Sequence, residues 1–364
     1  MTGLVSESAS GNANLDSVEI LDCTLRDGSY AVDFQFTREM IRGTLTGLEH
    51  AGIQLIELGH GLGLNAGEAL AKASLVPDEH CFEIAEDSLE AAEWGMFCIP
   101  GIAKPAHLRQ AAVAGMRFVR IGVDITEVAP AQEFIELAGE LGLRAFTNLM
   151  KTNVLSVDGV TNAVQQCEKF GADAIYLVDS VGGFLPQEVG MLIEHICQAV
   201  DVPIGFHGHD NLCLANANAL AAANAGARYI DTTLDGIGRY AGNANTEALS
   251  AVLWNHTNHP KYDYRALSKL SETLIRPLSR LHHDRTYQLV GGLTQTHSNF
   301  FHLITQCAKE GNVDVFDLMS AVAAIDRVNP TKELIMNAAS ALPQSPTTPT
   351  STSTSKLQSA QSAK

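Results

Sequence analysis

The sequence is short of aromatic residues, of positive charge and of long apolar runs, and each shortage excludes something. Aromatics make up 6% of the 364 residues. Ala, Leu, Gly and Val dominate instead, as in tightly packed α/β proteins. Lys and Arg number 24 against 41 Asp and Glu, a formal net charge of −17. An acidic surface repels nucleic acid and anionic membranes, so nucleic acid is excluded as a partner. An anionic substrate would need local cations or a metal. No apolar stretch reaches the roughly 18 residues that span a bilayer, so no membrane partner is expected. The seven cysteines (Cys23, Cys81, Cys98, Cys167, Cys197, Cys213 and Cys307) contain no Cys-x-x-Cys pair. An odd, irregular set of this kind argues against a disulfide framework or zinc knuckle and for reduced thiols, hence a cytoplasmic setting. Met1–Ser17 is polar and lacks the basic and apolar segments of a signal peptide.

What is there is a repeating pattern. Residues 1–16 and 343–364 are small, polar and of low complexity, and are expected to stay flexible. Between them lie eight short apolar runs: Val18–Leu21, Leu55–Leu58, Met96–Ile99, Phe118–Val123, Ala145–Leu149, Ala174–Val178, Ile204–Phe206 and Tyr229–Thr233. Amphipathic stretches alternate with them, among them Arg38–Ala51, Ala106–Ala114, Ala131–Leu141, Val160–Phe170 and Leu212–Ala225, each followed or closed by a glycine placed to end a helix. Eight strand–helix units predict an α/β fold, a (β/α)₈ TIM barrel over residues 17–259. A doubly wound open sheet is the competing architecture, because periodicity cannot see closure. Residues 260–342 read as helices alone, a C-terminal helical extension expected over the barrel mouth.

In such barrels reactive residues stand at the C-terminal ends of strands. Those ends read Arg26-Asp27-Gly28-Ser29-Tyr30, Glu57-Leu-Gly-His60, Asp179-Ser180, His207-Gly-His209-Asp210-Asn211 and Asp235-Gly-Ile-Gly-Arg239-Tyr-Ala-Gly-Asn243. A His-x-His on a strand places both imidazoles on one side. With a carboxylate from a facing strand they make a three-ligand site with open positions. The plainer alternative is one buried structural histidine and one exposed. Arg26 beside Asp27 is either an oxyanion-stabilising cation next to a ligand or a strand-end ion pair. Gly236-x-Gly238…Gly242 reads as a tight loop at the mouth or, more weakly, as a phosphate-binding turn. Glu57 is either a substrate contact or an arginine's partner, and His60 reads as a solvated loop residue.

Taken together, Thr24-Leu25-Arg26-Asp27-Gly28, His207-x-His209-x-Asn211 and Gly-x-Gly…Gly242-Asn243 resemble the metal-dependent lyase and aldolase barrels carrying the Asp-Arg-Glu signature (DRE-TIM, HMG-CoA lyase-like) over roughly Val18–Asp326. Within them, Thr24–Ser29, Ile56–Gly63, Pro100–Ile102, Tyr176–Gly183, Gly205–Leu212 and Leu274–Leu278 are most similar to the 4-hydroxy-2-oxovalerate aldolase family. The resemblance implies a class II aldolase, a carbon–carbon lyase giving pyruvate or another 2-oxoacid plus an aldehyde. It implies that Asp27, His207 and His209 hold a divalent cation, Mn²⁺ foremost with Mg²⁺, Co²⁺ or Zn²⁺ as alternatives. Arg26, Asp27, Ser180 and His207 would contact substrate, and Arg26 would stabilise the enolate. A homo-oligomer and an acylating aldehyde dehydrogenase partner are implied as well.

Two positions depart from the family. It carries His, its proton acceptor, where this chain has Tyr30, and Tyr where this chain has His297. The pair looks exchanged, so His297 is expected to act as general base and Tyr30 to orient the substrate. The rival expectations are an acyl-CoA-dependent Claisen-type lyase or synthase of the same superfamily, and a non-catalytic barrel homologue. Ser29 stands where the synthases carry Glu, and intact Asp27, His207, His209 and Arg26 speak against decay.

Overall fold

In the computed structural model, which describes residues 13–70, 72–257, 261–278 and 285–344, eight parallel strands close into a barrel. They are β1 Glu19–Leu25, β2 Leu55–Leu58, β3 Glu93–Cys98, β4 Phe118–Asp124, β5 Arg144–Met150, β6 Ala174–Asp179, β7 Ile204–Gly208 and β8 Tyr229–Thr232. Each pairs with the next, and β8 returns to β1 through Glu19↔Tyr229 to Asp22↔Thr232. Closure rules out the open sheet that the periodicity left standing.

All eight apolar runs are strands. The largest difference is at β1, which continues four residues past Leu21 through Asp22, Cys23, Thr24 and Leu25. Those polar residues are fully buried, with Asp22 accepting from the Thr246 hydroxyl and from the Thr24 backbone N–H. A strand inside a barrel thus carries polar side chains that interrupt its apolar pattern without ending it.

Helices wrap the outside. Arg38–His50 shows why: Ile41, Thr44, Leu45 and Leu48 recur on one stripe and are buried, and Thr37 caps the start by accepting from Met40 N–H. Gly52 ends the segment at φ 94°, and Gly115, Gly142, Gly171 and Gly226 close four other segments in the same left-handed region. Residues 13–16, read from sequence as part of the flexible N-terminus, belong to a short helix (Ala13–Ser17), and Asn14 donates to the carbonyl of Asn224. Residues 1–12 and 345–364, also expected to be flexible, lie outside the described residues.

Inside the barrel the lowest layer is aromatic and aliphatic: Leu21, Cys23, Leu55, Phe118, Phe146, Ala174 and Tyr176, with Tyr229 against them. Phe146 lies 5.4 Å from Phe118 and 5.3 Å from Tyr229 on the far wall. The barrel is a packed core here, not a pore. Glycines make room for the rings: a Cβ on Gly205 would stand 2.5 Å from the Tyr176 ring.

The chain divides into two compact units at Ser298/Asn299. The barrel and the helices up to Ser298 form the first. The second contains three helices, Phe301–Gly311, Val315–Ile325 and Lys332–Ser340, with Ile304, Cys307, Leu318, Met319, Val322 and Ile335 buried. Among the described residues beyond 260 no strand is present, as the sequence implied. No helix of the described residues is long and apolar enough to cross a membrane.

Candidate active site

The mouth of the barrel holds a cavity of about 70 Å³. Its walls include Arg26, Asp27, Tyr30, Ser180, His207, His209 and His297, the residues given catalytic, substrate or metal roles from sequence, joined by Arg239 and by apolar Leu62, Phe97, Ile99, Met150 and Val178.

One donor atom from each of Asp27, His207 and His209 lies within 4.8 Å of the others. His207 is the penultimate residue of β7, and His209 follows on the same side, with the two rings 5.1 Å apart. Each ring is tied by Nδ1. His209 Nδ1 bonds the carbonyl of Gly242 at 3.1 Å, and His207 Nδ1 bonds Asp231 Oδ2 at 2.8 Å. A carbonyl can only accept, so His209 Nδ1 is the donor and Nε2 keeps a lone pair. The ionised Asp231 imposes the same tautomer on His207. Burial, with help from His207 and Arg239, pushes the His209 imidazole down to about 4, the neutral form that a metal needs.

Asp27 opens the 3₁₀ turn after β1 and is 2% exposed. Its Oδ1 accepts from Arg26 Nη1 at 2.8 Å. Its Oδ2 accepts from the Asn243 amide at 2.6 Å and from Arg239 N–H at 3.3 Å. Burial opposes the charge, yet Arg26, the two imidazoles and Asn243 together hold the carboxyl well below the usual range. Gly238 of the Gly236–Gly242 loop is explained by this approach. A Cβ on Gly238 would stand 2.2 Å from Asn243 Nδ2 and 2.7 Å from Asp27 Oδ2. The loop is thus a tight turn at the mouth that closes on Asp27.

A second cluster, Cys23, His207 and Asp231, also meets the geometric condition for a metal. It lies under the cavity, and Arg120 donates to Cys23 Sγ at 3.2 Å and to Asp231 Oδ2 at 2.5 Å. A guanidinium bonded to two of three donors repels a cation, so Asp27, His207 and His209 are the better-suited set.

Arg26 is bound on two sides. Besides Asp27, its Nε donates to Glu57 Oε2 at 2.8 Å, which settles Glu57 as an arginine's partner. His60, expected to be solvated, is instead 1% exposed. It stacks on Phe34 at 3.9 Å and bonds Lys72 O and Leu62 N–H. The loop that looked open in sequence is folded over it by Phe34, which adopts a left-handed backbone (φ 62°).

Ser180 Oγ accepts from Lys151 N–H at 2.8 Å, leaving its own proton free to point elsewhere. Tyr30 fits its ring against Gly61, where a Cβ would come within 2.4 Å. Burial pushes the Tyr30 phenol up to about 12. His297 is brought to the mouth by the helix Arg285–Thr294, which is fastened to the β7 loop by the Asn211 amide donating to the carbonyl of Gln288. Burial, with Arg239, Lys151 and His209 nearby, pushes the His297 imidazole down to about 3. Tyr30 is therefore a protonated donor and His297 a neutral acceptor.

Sequence reasoning missed Arg120, Asp231 and Asn148, and it named Asn243 only as part of a motif, without its bond to Asp27. Arg120 is wholly buried inside the barrel, bonded to Glu57, Asp231, Cys23 and Asn148. The signal was available: an arginine in the apolar run Phe118–Val123 has to be paired. Its partners need strand register, which the sequence does not supply.

Comparisons with known proteins identify the family. The HMGL-like family model matches residues 17–274. The chain is 35% identical over 327 residues to 4-hydroxy-2-oxovalerate aldolase 2 of Rhodococcus jostii, covering 89% of this chain and 95% of that one. It is 33% identical over 329 residues to 4-hydroxy-2-oxovalerate aldolase of Moorella thermoacetica, covering 90% and 97%. Among solved structures, the N-terminal domain of a proposed aldolase from Bacteroides vulgatus aligns with a TM-score of 0.67 at 24% identity, covering 78% of this chain and 94% of that one. The carboxyl transferase domain of Rhizobium etli pyruvate carboxylase aligns with a TM-score of 0.70 at 17% identity, covering 90% and 61%. At those identities the structural likeness speaks for the fold. The sequence relationship goes further: this chain belongs to the HMGL-like family of TIM barrels and stands in it with the 4-hydroxy-2-oxovalerate aldolases.

Proposed function

We propose that the protein is a divalent-metal-dependent aldolase that cleaves or forms a 4-hydroxy-2-oxoacid such as 4-hydroxy-2-oxovalerate, giving pyruvate and an aldehyde. The observation that carries this reading is the convergence of Asp27, His207 and His209, two imidazoles and one carboxylate, at the cavity that Arg26 also lines. These residues would hold the ion, Mn²⁺ by preference, and when bound it would supply Lewis acidity at the 2-oxo group.

The chain's own residues account for the rest. Arg26 has Nε and Nη1 committed to Glu57 and Asp27, which fixes the guanidinium plane and leaves the Nη2 edge for substrate. Negative charge that moves onto the 2-oxo oxygen as C3–C4 breaks faces that fixed cation. His297, held neutral, accepts the proton of the 4-hydroxyl, while Tyr30, held protonated, donates a hydrogen bond that orients the same hydroxyl. The reverse assignment would need a tyrosinate at a phenol pushed up to about 12. Ser180 donates to the carboxylate end. The apolar wall of Leu62, Phe97, Ile99, Met150 and Val178 excludes water and receives the aldehyde portion. An aldehyde released from such a wall is reactive, and an acylating aldehyde dehydrogenase is the partner that would consume it.

The test is pyruvate release from 4-hydroxy-2-oxopentanoate by metal-stripped full-length protein, before and after adding Mn²⁺. Release restored by Mn²⁺ supports the reading. No release from protein that binds Mn²⁺ tightly would move the substrate to another class, with acyl-CoA donors next.

A further inference from the structure

Below the cavity lies a group of buried ions that the proposed chemistry does not use. Arg120 sits on β4 one inward position above Phe118 and is absent from the cavity wall. Every nitrogen of its guanidinium is engaged: Nε donates to Asn148 Oδ1 at 3.2 Å, Nη1 to Glu57 Oε2 and Cys23 Sγ at 3.2 Å each, and Nη2 to Asp231 Oδ2 at 2.5 Å. Its plane lies 4.3 Å over the Tyr176 ring.

Both carboxylate oxygens that Arg120 holds are shared with the site above. Glu57 Oε2 also accepts from Arg26 Nε, and Asp231 Oδ2 also accepts from His207 Nδ1, each at 2.8 Å. The second oxygens, Glu57 Oε1 and Asp231 Oδ1, have no hydrogen-bond partner. Each buried carboxylate therefore depends on the one oxygen that links Arg120 to the catalytic layer. Two guanidiniums face three carboxylates in this network, so its formal charges sum to −1.

We propose that Arg120, touching neither metal nor substrate, is the positioning residue for both halves of the site: through Glu57 it sets the Arg26 guanidinium, and through Asp231 it fixes the orientation and tautomer of His207. This inference rests on the metal-dependent reading above. Lysine cannot take over the role, because an ammonium lacks the planar fork that reaches both carboxylates and two further acceptors at once.

The experiment compares full-length wild type, Arg120→Lys and Asp231→Asn by Mn²⁺ titration of metal-stripped protein, steady-state kinetics, and ¹⁵N NMR of the histidine rings in metal-free protein. The expected result for Arg120→Lys is a Kd for Mn²⁺ raised about 10- to 100-fold. Its kcat falls with little change in KM. Asp231→Asn keeps the side chain's shape and one accepting oxygen while adding an N–H donor, so it remains informative where the lysine variant does not fold. It is expected to weaken Mn²⁺ binding similarly and to lose the single Nδ1–H tautomer of His207. Arg120→Lys that binds Mn²⁺ like wild type, or an unchanged His207 tautomer in Asp231→Asn, would overturn the proposal. Wild type that takes up no Mn²⁺ overturns the metal-dependent reading instead, and the metal-free NMR still decides the positioning role.

Discussion

On β4 the inward positions run from Phe118 to Arg120, on β5 from Phe146 to Asn148, and on β8 from Tyr229 to Asp231. Two residues along each strand, the filling of the barrel changes from stacked rings to a network of ions. The lower layer is joined to the one above only through Cys23 Sγ and the Tyr176 face, both against Arg120, and excludes water by close packing. The upper layer has little hydrocarbon and is held by charge-assisted bonds of 2.5–3.2 Å. The same strands thus carry stability at one level and reactivity at the next, which is the division expected between the two ends of such a barrel.

Substitutions at the two levels should separate these roles. The largest effect is expected at the top. Asp27→Ala removes a ligand and uncovers Arg26, and kcat for pyruvate release should fall by about 10³-fold or more, the several kcal/mol that Lewis-acid stabilisation is worth. Its thermal unfolding should change much less. The lower layer should behave in the opposite way. Phe146→Ala opens a cavity among Phe118, Tyr176 and Tyr229 and should cost about 3–5 kcal/mol in denaturant titration. Its kcat, measured well below the melting point, should stay near wild type. A Phe146→Ala protein of normal stability would break the comparison.

Within the upper layer the exchanged pair allows a finer division. His297→Ala should lower kcat by about 10²-fold, as loss of a general base does. Tyr30→Phe, which removes one orienting hydrogen bond, should lower it by about 10-fold. Equal effects, or a larger one at Tyr30, would reverse the roles assigned to them.

The smallest effect is on stability against pH. Asp22 lies outside both layers, in the β1 wall, and burial pushes its carboxyl up to about 7. The ordinary value near 3.9 applies once the chain unfolds. Between these values the folded state binds more protons, so stability falls as pH rises from about 4 to 7 and levels off above. Asp179, pushed up to about 6 by burial, acts in the same direction. In melting curves from pH 5 to 8, Asp22→Asn should show a smaller decline than wild type. An equal decline would place the pH dependence elsewhere.

What the sequence revealed follows the same boundary between levels. The strands were legible because an apolar run between two glycine- or polar-ended helices has few other readings. The convergence of Asp27, His207 and His209 was legible because strand ends meet at the barrel mouth and His-x-His fixes a common side. The network beneath was not legible. Arg120, Glu57 and Asp231 each interrupt an apolar strand, but they come from β4, β2 and β8, and only the closed barrel shows that they meet. His60 was misread for a related reason: its neighbours Phe34 and Lys72 come from other loops, and a glycine-rich sequence does not show that it is covered. Tyr30 and His297, 267 positions apart, meet at one cavity through the helix that Asn211 fastens, a contact no local pattern predicts.

The most direct test of the central claim, that this mouth enolises a 2-oxoacid, leaves the aldehyde out. Pyruvate would be incubated in D₂O with the metal-stripped protein, with the Mn²⁺-loaded protein and with Asp27→Ala, and its methyl proton signal followed by NMR. The account predicts loss of the signal only with the Mn²⁺-loaded wild type. Retention of the methyl protons by a protein that binds both Mn²⁺ and pyruvate would contradict it.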